Sequence, residues 1–268
     1  MRTMALMASG LVLLGGCSVN DDGAGMEAKF CVQLAQSECD GIADQCSRER
    51  MDCVNIRAAV CDTRAQAARA VGRSFRAQNA GPCLDQTRAT YRAGGTIKAV
   101  DFQMLEAKCG RVYEGSAGSN DPCIADADCK GPLICDKRRC GELKMVAANA
   151  NCGNPGERCP AEQYCKQGDG FFSCTARNAA GAVCSINAEC SEALRCRGMA
   201  CVAKLPLDTE CAGDDDCVSG YCDPYPPAGR PRTCATGLNF ARFSPSCDGY
   251  FGASTAAGAD AATAASLR

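Results

Sequence analysis

Cysteine is the residue of this chain with the most chemistry to offer, occurring 25 times in 268 residues. Thiols at that density serve as metal ligands, redox pairs, nucleophiles or disulfides, and their spacing separates these roles. Four residues lie between even the closest cysteines, as in Cys135/Cys140 and Cys196/Cys201. The Cys-x-x-Cys spacing of zinc knuckles, thioredoxin-like pairs and c-type haem attachment is therefore missing. The chain has no histidine, which removes the usual general base, the Ser-His and Cys-His nucleophile pairs and the commonest metal ligand. Neither a Gly-rich phosphate loop nor a Ser-x-x-Lys pair occurs. No catalytic residue, cofactor or metal site is assigned, and the chain reads as a binding or structural module rather than an enzyme. Disulfide formation is the chemistry that remains.

Two other groups of side chains invite a functional reading. Asp126 with Asp128, and Asp214 with Asp215 and Asp216, supply oxygen atoms of the kind calcium takes, but no full ligand set with a turn glycine accompanies them. Calcium is not expected, and capping of the turns beside neighbouring cysteines is the preferred role. Phe171 and Phe172, and Tyr225, Pro226 and Pro227, fall in long intervals between cysteines. They place aromatic or polyproline surface where partners are met, or they fold back over a disulfide.

The elements that position these residues follow from composition. Leu, Ile, Val and Phe are sparse, so alanine and cysteine supply most of the 46% hydrophobic content. A small apolar core cannot offset chain entropy in small units, whereas each native disulfide contributes about 2–4 kcal/mol. The fold class expected is small and disulfide-rich, with an N-terminal all-α cysteine-laced head followed by four tandem irregular, β-poor disulfide repeats. Cysteines in such numbers belong outside the reducing cytosol. The net charge of −2 argues against a nucleic-acid partner.

Residues 1–16 read as a secretion leader, with Arg2 before a short apolar run that ends at Leu14-Gly15-Gly16-Cys17. That ending resembles the bacterial lipobox, which implies acylation of Cys17, by palmitate among other chains, and membrane anchoring through the N-terminal lipid. The alternative is an ordinary signal-peptidase cut nearby. Parity favours the lipid, because removing Cys17 from 25 cysteines leaves 24, an even number able to close into disulfides. Ser18 stands where bacterial lipoproteins retained at the inner membrane carry aspartate, so the resemblance implies the outer membrane, with its periplasmic or cell-surface face left open. Residues 17–25 form a lipidated tether.

Residues 26–115 form the helical head. From Met26 to about Asn79 the chain is rich in Ala, Arg, Gln and Glu and free of proline. Cys31, Cys39, Cys46, Cys53 and Cys61 are separated by 8, 7, 7 and 8 residues. One straight rod would keep them apart, so breaks are expected near Asp40-Gly41 and Cys61-Asp62, giving two or three antiparallel helices. Gly81-Pro82 should end the helical run, and a last helix should run from about Asp101, its N-cap, to Tyr113. Cys83 and Cys109 tie these pieces to the bundle. Arg69, Arg73 and Arg76 would share one helical face, which is read as solvated in preference to a contact with anionic lipid or a polyanion.

Residues 116–235 carry four units, at 123–140, 152–174, 184–201 and 211–234. Cys123, Cys129, Cys135 and Cys140 share their spacing with Cys184, Cys190, Cys196 and Cys201. Cys152, Cys159, Cys165 and Cys174, and Cys211, Cys217, Cys222 and Cys234, vary it. An acid precedes the second cysteine in three units (Asp128, Glu189, Asp216), with Arg158 the exception. This pattern resembles the Dickkopf N-terminal cysteine-rich repeat, and the stretch from Cys109 to Cys129 resembles the junction between a helical head and such repeats. The resemblance implies protein or surface interaction and carries no catalytic residue. Three pairings are open within each unit, of which first-to-third with second-to-fourth is the working expectation. The head then holds an odd seven cysteines, so Cys247, in a return segment 236–251, should bond to one of them. A disordered tail, 252–268, is expected beyond it. The rival reading is a secreted hydrolase or protease inhibitor with its site in the head.

Overall fold

The computed structural model describes residues 24–92, 94–168 and 170–252. The leader, Cys17, nearly all of the tether and all but the first residue of the expected tail lie outside the described residues. Among the described residues the fold is small and disulfide-rich, with five α-helices and short strands, and twelve disulfides join every cysteine from Cys31 to Cys247.

Helix α1 (Ala24–Ile42) and helix α2 (Arg50–Ala70) form a hairpin. Cys31, Ala35, Cys39 and Ile42 of α1 bury one stripe, as do Cys53, Arg57, Cys61, Ala65 and Ala68 of α2, the spacing that brings side chains to one helical face. The bonds Cys31–Cys61 and Cys39–Cys53 are rungs between the stripes, and both are centred on Cys46 at the turn. The expected break at Cys61-Asp62 is therefore corrected. Uninterrupted antiparallel helices satisfy both rungs, and Cys61 lies well inside α2. The helix runs to Ala70 and is closed by Gly72, with φ +82°. Gly72 N–H donates to Arg69 O and Arg73 N–H to Ala68 O, a Schellman ending that favours glycine.

Strand β1 (Ser74–Phe75) leads into helix α3 (Ala77–Arg92). The expectation that Gly81-Pro82 ends the helical run is wrong, since both lie inside α3. Pro82 stands near the helix start, where it removes a single intrahelical donor, and the Cys83–Cys109 bond and buried Thr87 and Tyr91 hold the following turns. Helices α1 and α3 cross so closely that a β-carbon on Gly41 would stand 1.8 Å from the Tyr91 carbonyl oxygen. Strand β2 (Thr96–Lys98) precedes helix α4 (Ala99–Cys109). Asp101 is the third residue of α4 rather than its N-cap, and its carboxylate accepts the Lys98 N–H at 2.9 Å. Strand β3 (Tyr113–Glu114) pairs with β1.

Further along, antiparallel hairpins carry the cysteines. Strands β4 (Leu133–Asp136) and β5 (Arg139–Glu142) form the first, followed by a parallel pair of β6 (Lys144–Met145) and β7 (Glu157–Arg158). Next come β8 (Gln163–Gln167) with β9 (Phe172–Ala176), and β10 (Leu194–Arg197) with β11 (Ala200–Ala203). The third and fourth cysteines of each set stand directly opposite: Cys135 and Cys140, Cys165 and Cys174, Cys196 and Cys201, and Cys222 and Cys234. They do not bond to each other. The third returns to the first and the fourth to the second, in all four sets. A short ladder or bridge in each set presents these two sulfurs to the preceding loop.

The chain then turns back. Strand β12 (Gly237–Asn239) pairs antiparallel with β2, Leu238 opposite Ile97, and helix α5 (Pro245–Gly252) packs on the head. Cys247 bonds to Cys46 across 201 residues. Phe240, Tyr250 and Phe251 join Ile42, Val54 and Tyr91 in the largest apolar cluster.

Candidate functional site

The acids beside the second cysteines act on the backbone. Asp128 accepts the N–H groups of Ile124 and Ala125, both at 2.8 Å. Glu189 accepts that of Ser185, and Asp216 that of Ala212. Asp126 and Asp214 reach across to the N–H groups of Cys135 and Cys222; Asn187 does the same for Cys196. Each side chain fixes the short turn that carries one disulfide. Partial burial opposes ionisation of Asp128, but the two N–H groups and the Arg73 guanidinium outweigh it and hold the carboxyl below its ordinary range. The same balance, with Ala212 and Arg195 opposing burial, lowers Asp216. For Asp214 burial prevails and pushes the carboxyl up.

Arg69, Arg73 and Arg76 do not share a helical face, because α2 ends at Ala70. Each meets an acid: Arg69 pairs with Glu27, Arg73 with Asp128 at 2.8 Å and Arg76 with Glu114 at 3.2 Å. The Arg73 pair joins the head to the first disulfide unit, and Glu114, which holds Arg76, accepts the Gly131 N–H of that unit at 2.6 Å. Arg111 adds donation to the carbonyls of Cys129, Gly131 and Leu133. Gly115 sits at this seam, where a β-carbon would stand 2.2 Å from the Asp128 carbonyl oxygen. A similar ion pair, Arg195 to Asp216 at 2.6 Å, links the last two units.

The aromatic candidates divide. Phe171 is exposed, with its ring over Gly168 beside Gly170, whose φ is +85°. Phe172 is half-buried in β9, against Gly153 and with the Lys137 amine 5.7 Å from its ring centre. Tyr225 does not stand at a loop tip. Its ring lies on Gly249 of α5, where a β-carbon would come within 2.1 Å of Cδ1. Pro226 is half-buried and Pro227 exposed, while Arg232 donates back to the carbonyls of Cys222 and Asp223 and folds the loop down. Ile124, Val183 and Met199 are each at least 75% exposed on the disulfide units, and the cysteine pattern gives no sign of them.

A buried polar centre in the head also escapes a reading by motif. Arg57 is 7% exposed and donates from Nε to Glu38 Oε2 at 2.7 Å. Its guanidinium lies 3.8 Å from the Tyr250 ring centre and donates to the Tyr250 carbonyl at 3.3 Å. Burial alone would lower the Arg57 pKa, but Glu38 carries it above the ordinary arginine value. The Tyr250 hydroxyl donates to that of Tyr91 at 3.0 Å, and burial raises both phenols. This centre therefore holds α5 rather than offering a reactive group.

Two open clefts among the described residues bear on function. One, of about 380 Å³, lies between α1 and α3 and is lined by Gln33, Gln36, Asp40, Arg50, Asp85 and Arg88, where Arg50 pairs with Asp40 and Arg88 with Asp85. The other, of about 360 Å³, is lined by Asn120, Glu142, Lys144, Asn154 and Glu157, among others. Hydrogen bonds from Asn154 hold Glu157 below the usual carboxylate range. Sulfur atoms cluster tightly in each disulfide unit, but all belong to disulfides and offer no thiolate to a metal. No protein-family model, curated protein or solved structure matches the chain.

Proposed function

We propose that the chain is an extracytoplasmic lipoprotein, anchored to the outer membrane through Cys17, that acts as a protein-binding or scaffolding module. In this reading a helical head bears four tandem Dickkopf-like units, and their surfaces meet a protein or cell-surface partner. One observation carries the proposal: every cysteine from Cys31 to Cys247 is paired, which leaves Cys17 as the odd residue, at the end of a lipobox-like stretch. Twelve stable disulfides fit an oxidising compartment. Exposed Phe171, Ile124, Val183 and Met199 on covalently stiffened units suit contact with a partner, because little conformational entropy is lost on binding.

Growth of the producing cells with an alkynyl palmitate analogue, followed by membrane fractionation of wild type and Cys17→Ser, tests the anchor. The wild type should carry the label and sediment with outer membranes. The variant should lose the label and become soluble with its disulfide map unchanged. Firm membrane retention of Cys17→Ser, or an unlabelled wild type, would remove the lipid anchor.

A further inference from the structure

Only Cys83–Cys109 joins cysteines that are neighbours in the chain; the other eleven disulfides skip at least one cysteine. Oxidation of cysteines in order of emergence from an export channel would join neighbours and give the native partner almost nowhere. The conflict is sharpest at Cys46. Its partner, Cys247, is 201 residues away, while Cys39 and Cys53 each lie seven residues away. By the three-halves-power law of loop closure, a seven-residue closure is about 150-fold more probable than a 201-residue one in an unstructured chain. Yet Cys39 and Cys53 belong to each other, as a rung between α1 and α2.

We propose that the chain is a substrate of a dithiol thiol–disulfide isomerase, which is needed above all to return Cys46 from Cys39 or Cys53 to Cys247. Only the place where the enzyme is met rests on the extracytoplasmic reading. In the exchange, an isomerase thiolate attacks Sγ of Cys46 in a misformed Cys39–Cys46 bond. A mixed disulfide forms at Cys46 and the Cys39 thiolate leaves. The Cys247 thiolate then attacks the same Sγ, forming Cys46–Cys247 and restoring the isomerase thiolate. These two steps transfer no net electrons. Cys39 and Cys53 close afterwards, giving two electrons and two protons to a disulfide oxidant of the compartment. Folding of the return segment favours the last exchange, because Cys46 and Cys247 end at 4–8% exposure among Ile42, Val54 and Phe251.

The full chain carrying Cys17→Ser, so that only the paired cysteines report, is reduced in denaturant and refolded with diamide alone or with diamide followed by a reduced Cys-x-x-Cys isomerase. Non-reducing peptide mapping reads the outcome. With diamide alone, Cys46 should appear mainly with Cys39 or Cys53, and the isomerase should raise the Cys46–Cys247 peptide about tenfold or more. Equal native yield without the enzyme, or misbridging that persists with it, would overturn the proposal. A second arm adds Cys247→Ser and an isomerase whose resolving cysteine is replaced. Capture should then occur at Cys46, and capture only at other cysteines would refute its role. Neither arm depends on lipid or location, so a failed fractionation experiment leaves this result intact.

Discussion

Removal of the closing bond by Cys46→Ala with Cys247→Ala should loosen one region of the molecule by a calculable amount. The bond closes 201 residues, and loop-closure entropy at that length corresponds to about 5 kcal/mol. Other disulfides give the unfolded chain shortcuts that reduce the effective loop to about 120 residues. The dependence is logarithmic, so the shortening changes the result by only about 0.4 kcal/mol. Without the bond the return segment is still held by the β2–β12 ladder, by Phe240 N–H donating to Gly95 O at 2.7 Å, and by the Arg57 contacts with Tyr250. The fold should therefore survive with β12 and α5 opening more often. The chain has no tryptophan, so native-state hydrogen exchange is the suitable assay. When only the return segment opens, the free tether runs from Ala235 to Cys247. The opening free energy of amides from 238 to 251 should therefore fall by about 3 kcal/mol, less than the figure for global unfolding, while local opening of the hairpins β4–β5 and β10–β11 stays within about 0.5 kcal/mol. A fall below about 1 kcal/mol in the return segment would refute the chain-entropy reasoning and show that packing alone seats it.

Arg57→Ala leaves Glu38 buried without its partner and should cost about 3–5 kcal/mol in chemical denaturation; Arg57→Met with Glu38→Gln should recover most of the loss, and no recovery would show that the Tyr250 contacts dominate. Gly237→Ala places a β-carbon 2.1 Å from the Ile97 carbonyl oxygen and should destabilise the return segment by about 1–3 kcal/mol, whereas Gly213→Ala, which meets nothing within 4 Å, should leave unfolding almost unchanged. Asp128, Asp136 and Asp216 are held below their ordinary pKa, so their stabilisation is present above the unfolded aspartate value of about 3.9 and is lost as pH falls through the lower folded values. Asp214, which is raised, acts in the opposite sense. Acid titration of the unfolding midpoint should show a shallower loss in Asp128→Asn, and an unchanged profile would count against the Arg73 and N–H contacts.

Cysteine spacing carried much of the fold into view, since disulfide distance constraints act across sequence. The return of Cys247 to the head follows from counting, and the similar four-cysteine groups indicate that their units share a build. More was present in the head than the helical pattern suggested. The intervals 8, 7, 7 and 8 are symmetric about Cys46, and that symmetry is the signature of one helical hairpin with its odd cysteine at the turn. The break expected near Asp40-Gly41 agrees with the end of α1 at Ile42, whereas those at Asp62 and at Gly81-Pro82 fail because tertiary packing and disulfides override local helix preference. The candidate surface was less legible. Tyr225 is hidden by a glycine in α5, and the Arg57–Glu38 pair is assembled from two helices and a backbone carbonyl far away in sequence. Such contacts depend on how elements pack and leave no local spacing for a reader to detect.

The bond between Cys46 and Cys247 also changes what a single cut can do. Every peptide bond between those residues lies in a covalent ring, so a protease that severs any one of them creates two new termini but releases no fragment. The exposed stretch from Pro227 to Arg230 can be nicked and the molecule will still travel as one piece until its disulfides are reduced.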